Sequence, residues 1–416
     1  MTGMATAADL SLRSDVAHLY RRAAFGARPD ELEAAVGAGY QATVDALVAQ
    51  LAHPAAVPFT PSGDPKNAGP LVPWWVDAMA TTATPVVEKL TLFWHGHFAT
   101  SGMKVQSQAL MYRQNDLFRR LGGGDFETLA KAVVQDGAML RWLDGNTNQK
   151  AHPNENLGRE LMELFTLGVG NFGETDVKEA ARCLTGWRVD QNGEVSFAAG
   201  RHDTGLKTVL GQTGDFGADE LVQILVGAAA SARFIAARVY SHYARPIAPT
   251  DPVAADLAEV FTGAGRNIAA LLKAMFLHPD FRSRATRTGL VKTPIEWAVG
   301  TLRAVGAHAP ADIRERLNQL GQLPFDPPSV GGWGQNLYWL STAASLARWK
   351  FVDSVASLGP LLPLTSVPRA ERAAATARLL SVDGWSPSTA NTLGQALDQP
   401  RILFALAVTS PEYLLA

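Results

Sequence analysis

The densest set of chemically capable side chains in the sequence lies in residues 154–167, Asn-Glu-Asn-Leu-Gly-Arg-Glu-Leu-Met-Glu-Leu-Phe-Thr-Leu. Read as a helix at about 100° per residue, this segment puts Leu157, Leu161, Leu164 and Phe165 on one apolar face. Asn156, Glu160 and Glu163 gather on another, with Arg159 beside them and Glu155 one turn earlier. Two carboxylates, a guanidinium and an amide on one face can bind a metal, position a water, or divide acid and base roles between carboxyls of different pKa. The same spacing suits a solvated surface, because Glu155–Arg159 and Arg159–Glu163 are both i,i+4 pairs. Spacing alone leaves the two readings open.

The second constellation is Phe93-Trp94-His95-Gly96-His97-Phe98. Two histidines at i,i+2 stand roughly 200° apart on a helix and cannot reach one ion, whereas on extended backbone they share a side. Gly96 between them and Gly102 after them predict that the helix ends here, which lets the rings converge. The flanking aromatic residues predict burial, and a buried imidazole commonly bonds a neighbour instead of a ligand. His202-Asp203 with Lys207 is a weaker candidate on a presumed hairpin loop. The Gly-rich loop 327–333, with Trp333 and then Trp339, can form either a stacking platform for a ligand or a plug over the core. Cys183 is the one cysteine and reads as a small buried hydrophobe, not a nucleophile.

The elements that must hold these groups are helical. Apolar residues recur every three to four positions through segments near 72–81, 85–95, 106–121, 126–142, 154–167 and 176–185. The pattern resumes at 218–229, 232–244, 252–262, 268–277, 294–305, 311–320, 341–358 and 369–380. Residues 53–70 read as an irregular loop, and 193–217 as an inserted β-hairpin from Val195-Ser196-Phe197 and Thr208-Val209-Leu210. With no internal repeat and no sharp change of composition, the expected architecture is mainly α: one multi-helix domain over 1–416, with a small hairpin and long loops.

Composition narrows the function. The net charge is −2, from 37 basic and 39 acidic residues, and the basic pairs Arg21-Arg22 and Arg119-Arg120 are scattered, which argues against nucleic acid. A single cysteine excludes an intramolecular disulfide and multi-thiolate zinc. No apolar run approaches the roughly 20 residues of a membrane span. Met1–Asp15 lacks a charged region followed by an apolar one, so the expected location is the cytoplasm. Signatures for dinucleotide, phosphate-loop, zincin and serine-hydrolase sites are absent.

Taken in order, these segments resemble the bacterial domain-of-unknown-function family numbered 1800. The likeness begins at His18-Leu19-Tyr20-Arg21-Arg22-Ala23-Ala24-Phe25-Gly26. It continues through 93–101, 154–168, 176–187, His202-Asp203 to Lys207, Lys292-Thr293-Pro294 and 327–339, nearly the whole chain. The resemblance marks His95, His97, Glu155, Asn156, Arg159, Glu160, Glu163, Arg182, Trp187, His202 and Asp203 as pattern positions. It also implies a link to the envelope or to extracellular polymers, since members are often exported and encoded beside a second protein.

The leading expectation is a hydrolase-like enzyme acting on a polar or polymeric substrate. Glu160, Glu163, His95 and His97 are its catalytic candidates and the ligands of a divalent metal, if one is used. Arg159, Asn156, Arg182, Trp187, His202, Asp203, Trp333 and Trp339 are the substrate-binding candidates. One alternative is a metal-dependent oxidoreductase with a Glu/His cage, although Glu160-x-x-Glu163 lacks the histidine of the di-iron spacing. Another is a non-catalytic binding or assembly protein in which the same charges form a salt-bridge network.

Overall fold

The helix Pro85–His97 is apolar on every side, and each of its residues except Gly96 is buried. A helix without a polar face must sit inside a protein. Its two charged side chains leave it in different directions. Glu88 receives a bidentate bond from Arg119 (2.6 and 3.0 Å) and a third from Trp75 Nε1 at 2.7 Å. Lys89 pairs with Glu296 of the helix Pro294–Val305. The ion pairs therefore fasten the central helix to Gln108–Leu121 on one side and to Pro294–Val305 on the other.

The computed structural model describes residues 7–358 and 361–415. Among these are 24 α-helices, and one contiguous apolar cluster runs from Leu19 to Tyr413. A smaller cluster of Val16, Ala17, Ala27, Leu32 and Ala35 joins the first two helices. Among the described residues no single helix is long and apolar enough to cross a membrane. The expectation drawn from Met1–Asp15 falls partly outside the described residues.

Several expected elements divide, each at an identifiable residue. The helix expected over 126–142 splits into Phe126–Val134 and Gly137–Trp142 because Asp136 takes extended backbone and its carboxylate accepts the Met139 amide at 2.9 Å. The one expected over 106–121 starts later, since Gln106 is left-handed (φ 49°) and Ser107 caps Gln108–Leu121. Three C-terminal helices, Pro387–Gly394, Pro400–Val408 and Pro411–Leu414, are additional to those expected.

The single hairpin expected over 193–217 is two. Trp187–Val189 pairs antiparallel with Val195–Phe197, and Lys207–Val209 with Gln212–Gly214. Leu210 and Gly211 both have positive φ (47° and 79°), the geometry of a two-residue turn that folds the second strand back on its own neighbour. The two runs thought to be partners belong to different sheets.

Candidate functional site

The central helix does not stop at Gly96 but runs through His97, so the two imidazoles leave it on different sides. This corrects the expectation that they converge. His95 Nε2 accepts the Phe325 amide at 2.9 Å, and its ring lies among Trp75, Phe325 and Trp333, with centroids 5.0, 5.0 and 5.4 Å away. Burial pushes its pKa down to about 3, so the ring is neutral.

His97 Nε2 lies 3.0 Å from the carbonyl oxygen of Phe165. A carbonyl only accepts, so Nε2 carries the proton and Nδ1 carries the lone pair. That Nδ1 is buried and has no partner in the protein. Burial first, and then the positive charge of Arg238, push the His97 pKa down to about 3. The ring is therefore a neutral base of fixed tautomer.

Beside it is a cleft of about 60 Å³ lined by His97, Arg238, His242, Thr293, Gln322 and Trp333, among others. Arg238 and His242 stand one turn apart on the helix Ala229–Tyr243. Among the described residues the Arg238 guanidinium has neither a hydrogen-bond acceptor nor a carboxylate partner, and its Nε is fully buried. Burial alone lowers its pKa, with no anion near enough to oppose it. His242 Nε2 is likewise buried without a partner. Burial and then Lys89 push that ring down to about 3, against the pull of Glu296. Three polar atoms without protein partners thus belong to residues lining one cleft, where buried polar groups are ordinarily satisfied.

The loop that carries Trp333 reaches this cleft through a close backbone approach. Gly332 has φ 81°, and a Cβ there would stand 2.6 Å from the Gly96 carbonyl oxygen. Only glycine at 332 lets the loop rest on the helix end between the two histidines. Trp333 then lines the cleft while its ring faces His95. Trp339 takes the other role considered for this loop: it is 2% exposed and plugs the core, whereas neighbouring Tyr338 is 68% exposed.

The segment expected as a helix over 154–167 is α only over Asn156–Glu160 and then π over Leu161–Thr166. The widened turn shows in the Leu167 amide, which bonds Met162 O, five residues back, at 2.9 Å. Asn154 Oδ1 accepts the Asn156 amide (3.0 Å) in the turn before the helix, whose cap is Glu155, and Gly168 has φ 80° just past its end. Arg159 turns away from Glu163, bonding Glu174 at 2.9 and 2.8 Å and Glu155 at 3.0 Å. Glu160 is half-buried, and its pKa is raised by burial and then by Glu163, with Arg159 opposing.

The other expected binding residues are engaged within the protein. Asn156 donates to Asp144 at 3.0 Å. Arg182 grips Asp203 with two bonds (2.7 and 3.1 Å) and Glu179 with a third (2.7 Å). His202 Nδ1 lies 2.9 Å from Thr185 O, and Trp187 packs on Phe197 at 5.3 Å. These contacts tie the hairpins to the helix Glu174–Cys183.

The metal set His95, His97, Glu160 and Glu163 is not assembled. Both histidines bond backbone through Nε2 and lie on different sides of their helix. Among the described residues no group of three or more His, Cys, Asp or Glu side chains is placed to hold a metal ion. The proposed Glu/His cage meets the same objection. Sequence reasoning missed Arg238 and His242, whose i,i+4 spacing was the available signal.

A family model described as "Protein of unknown function (DUF1800)" matches residues 18–415, and the chain belongs to that family. No curated protein and no solved structure matches it.

Proposed function

We propose that this member of the DUF1800 family is a hydrolase-like enzyme whose working groups are His97 and Arg238, acting on a polar substrate that presents an anionic group to the cleft. The observation that carries the reading is the coincidence of a tautomer-fixed imidazole with a free lone pair and a guanidinium with no anion of its own. Water attacks the electrophilic carbon, phosphorus or sulfur while His97 Nδ1 takes its proton, and the bond to the ester oxygen then breaks as the imidazolium returns that proton to the departing alcohol. The negative charge that develops on the attacked oxygens faces Arg238, in a buried setting where such an interaction is strong. Trp333 forms one wall and restricts solvent.

The cleft's size, about 60 Å³, suits a single carboxylate, phosphate or sulfate group and not a whole sugar ring. The bulk of a larger or polymeric substrate would lie outside. The test is a panel of chromogenic carboxylate-bearing, phosphate and sulfate esters, assayed with the wild type, His97→Gln and Arg238→Met. Turnover lost in both variants, with unchanged circular dichroism, supports the reading. Turnover equal to wild type in His97→Gln removes it.

A specific observation favours a non-catalytic role for Arg159 and Arg182. Arg159 and Arg182 are saturated by Glu155, Glu174, Glu179 and Asp203. That network fits the assembly alternative for those residues, with catalysis displaced to the cleft.

A further inference from the structure

Residues from 64–69, 102–106 and 323–326 meet around a second cleft, of about 500 Å³, which neither His97 nor Arg238 lines. Small-molecule sites have volumes of about 300–1,000 Å³. The segments touch through Gly102, where a Cβ would stand 2.7 Å from Ala68 Cβ and 3.2 Å from Phe325 O. The Gly102 amide donates to that same Phe325 oxygen at 2.7 Å. Two lining residues other than glycine, Gln106 and Phe325, hold left-handed backbone (φ 49° and 65°). Such backbone persists only where its surroundings enforce it, and it gathers at binding sites. Phe325 is held by the bond from its amide to His95 and by its ring against Trp75, 5.3 Å away. One wall of the cleft is thus set before any ligand arrives.

The polar groups of the walls are of complementary kinds. Arg314 and Lys66 are exposed, and among the described residues neither side chain has an ion-pair or hydrogen-bond partner. Arg314 lies across Gly69, since a Cβ there would come within 3.2 Å of its Nε. Asp64 accepts the Lys66 amide and Asp326 the Ser101 hydroxyl, each at 2.9 Å and through Oδ1, which leaves both Oδ2 atoms open. Asn67 and Gln106 add two side-chain amides, and exposed Met103 with half-buried Leu323 adds apolar surface. The cations suit a carboxylate, and the amides and open carboxylate oxygens suit hydroxyls. The apolar pair suits the C–H face of a sugar ring.

We propose that this cleft binds a small acidic sugar, of one or two rings, whose carboxylate pairs with Arg314 and Lys66 while its hydroxyls bond Asp64, Asp326 and the neighbouring amides. A neutral sugar forgoes the ion pair. An amino acid has neither ring nor vicinal hydroxyls, and leaves the apolar surface and most of the acceptors uncovered. The site is distinct from the His97 cleft, although one loop serves both: Gln322 and Trp333 line that cleft, and Leu323 and Asp326 line this one. The inference stands without the hydrolytic reading.

The test is isothermal titration calorimetry of the full chain with glucuronate and galacturonate at low ionic strength, where exposed charges are least screened. Saturable heat with a Kd of roughly 1 mM or tighter is expected. Glucose and glutamate should each bind at least about tenfold more weakly. Arg314→Gln should lower uronate affinity by about tenfold or more, with circular dichroism unchanged because the residue is exposed. His97→Gln should bind both uronates as the wild type does, which separates this site from the other cleft. No saturable heat with either uronate, glucose or glutamate binding as tightly, full affinity in Arg314→Gln, or loss of binding in His97→Gln each overturn the proposal.

Discussion

His97 Nε2 donates to the carbonyl oxygen of Phe165 across 3.0 Å, joining the end of the central helix to the end of the π turn. The bond does two things at once. It satisfies a carbonyl of the last turn, where intrahelical donors run out, and it sets which imidazole nitrogen keeps its lone pair.

His97→Ala should therefore act on both stability and turnover. Loss of the donor strands a buried carbonyl, at about 1–3 kcal/mol. Loss of the base should lower kcat by about 10²-fold or more. His97→Gln can keep the bond to Phe165 without supplying a base of comparable strength. Urea titrations beside steady-state kinetics separate the effects: Gln should recover most of the stability and little of the rate.

Acid should destabilise the protein already between about pH 7.5 and 5, through its buried imidazoles. His95, His97 and His242 have folded pKa values of about 3, against about 6.5 in an unfolded chain. Between those values the unfolded chain binds more protons. The stability these rings provide is complete above pH 6.5 and falls as the pH drops toward 3, by about 1.4 kcal/mol per pH unit for each ring. Asp136 works the other way, because burial raises it to about 6 and the folded state then takes up the proton. The net slope remains destabilising. Unfolding midpoints in urea measured from pH 7.5 to 5 should fall steadily, and a flat profile would contradict the assignment of neutral buried rings.

Arg238→Met makes a prediction of opposite sign for stability and activity. Removing a desolvated, unpaired cation should leave stability unchanged or raise it, by about 1 kcal/mol. Substrate affinity should drop at the same time. A variant that loses both stability and activity would mean that the guanidinium serves the fold.

Gly332→Ala tests the loop contact. The added Cβ meets the Gly96 carbonyl, and φ 81° disfavours a side chain. A loss of about 1–3 kcal/mol is expected, with Trp333 displaced from the cleft. Tryptophan fluorescence should report the displacement; an unchanged spectrum and midpoint would refute the close approach.

Arg119→Ala removes one half of a fully buried pair and leaves the Glu88 carboxylate stranded. The expected loss is about 3–5 kcal/mol. Thermal unfolding will read it, and a shift of only a degree or so would show that Glu88 finds another partner.

The sequence was most legible where local chemistry decides the outcome. Pro294–Val305 begins at a Thr293/Glu296 capping box and ends at a left-handed Gly306, and its expected limits are those observed. Ile268–Leu277, capped by Asn267, is equally direct. The candidate site was less legible because its defining features are absences. Arg238 and His242 look like polar positions on any amphipathic helix until packing shows that their buried nitrogens have no partner. Arg159 looked functional by spacing and is held by Glu174, which lies beyond the helix it was read with. The π turn has no clear mark in the composition of residues 161–166.

That turn also bears on how the chain can change in length. A π turn accommodates one residue more than the regular helix it interrupts. Deleting a single residue within Leu161–Thr166 should let ordinary α-helical bonding run through, rotating the downstream backbone by about 100°. The shortened helix would be the more regular of the two. It would also carry the Phe165 carbonyl away from His97, freeing the imidazole to exchange tautomers. Regularity of this helix and a fixed base beside the cleft are thus alternatives, separated by one codon.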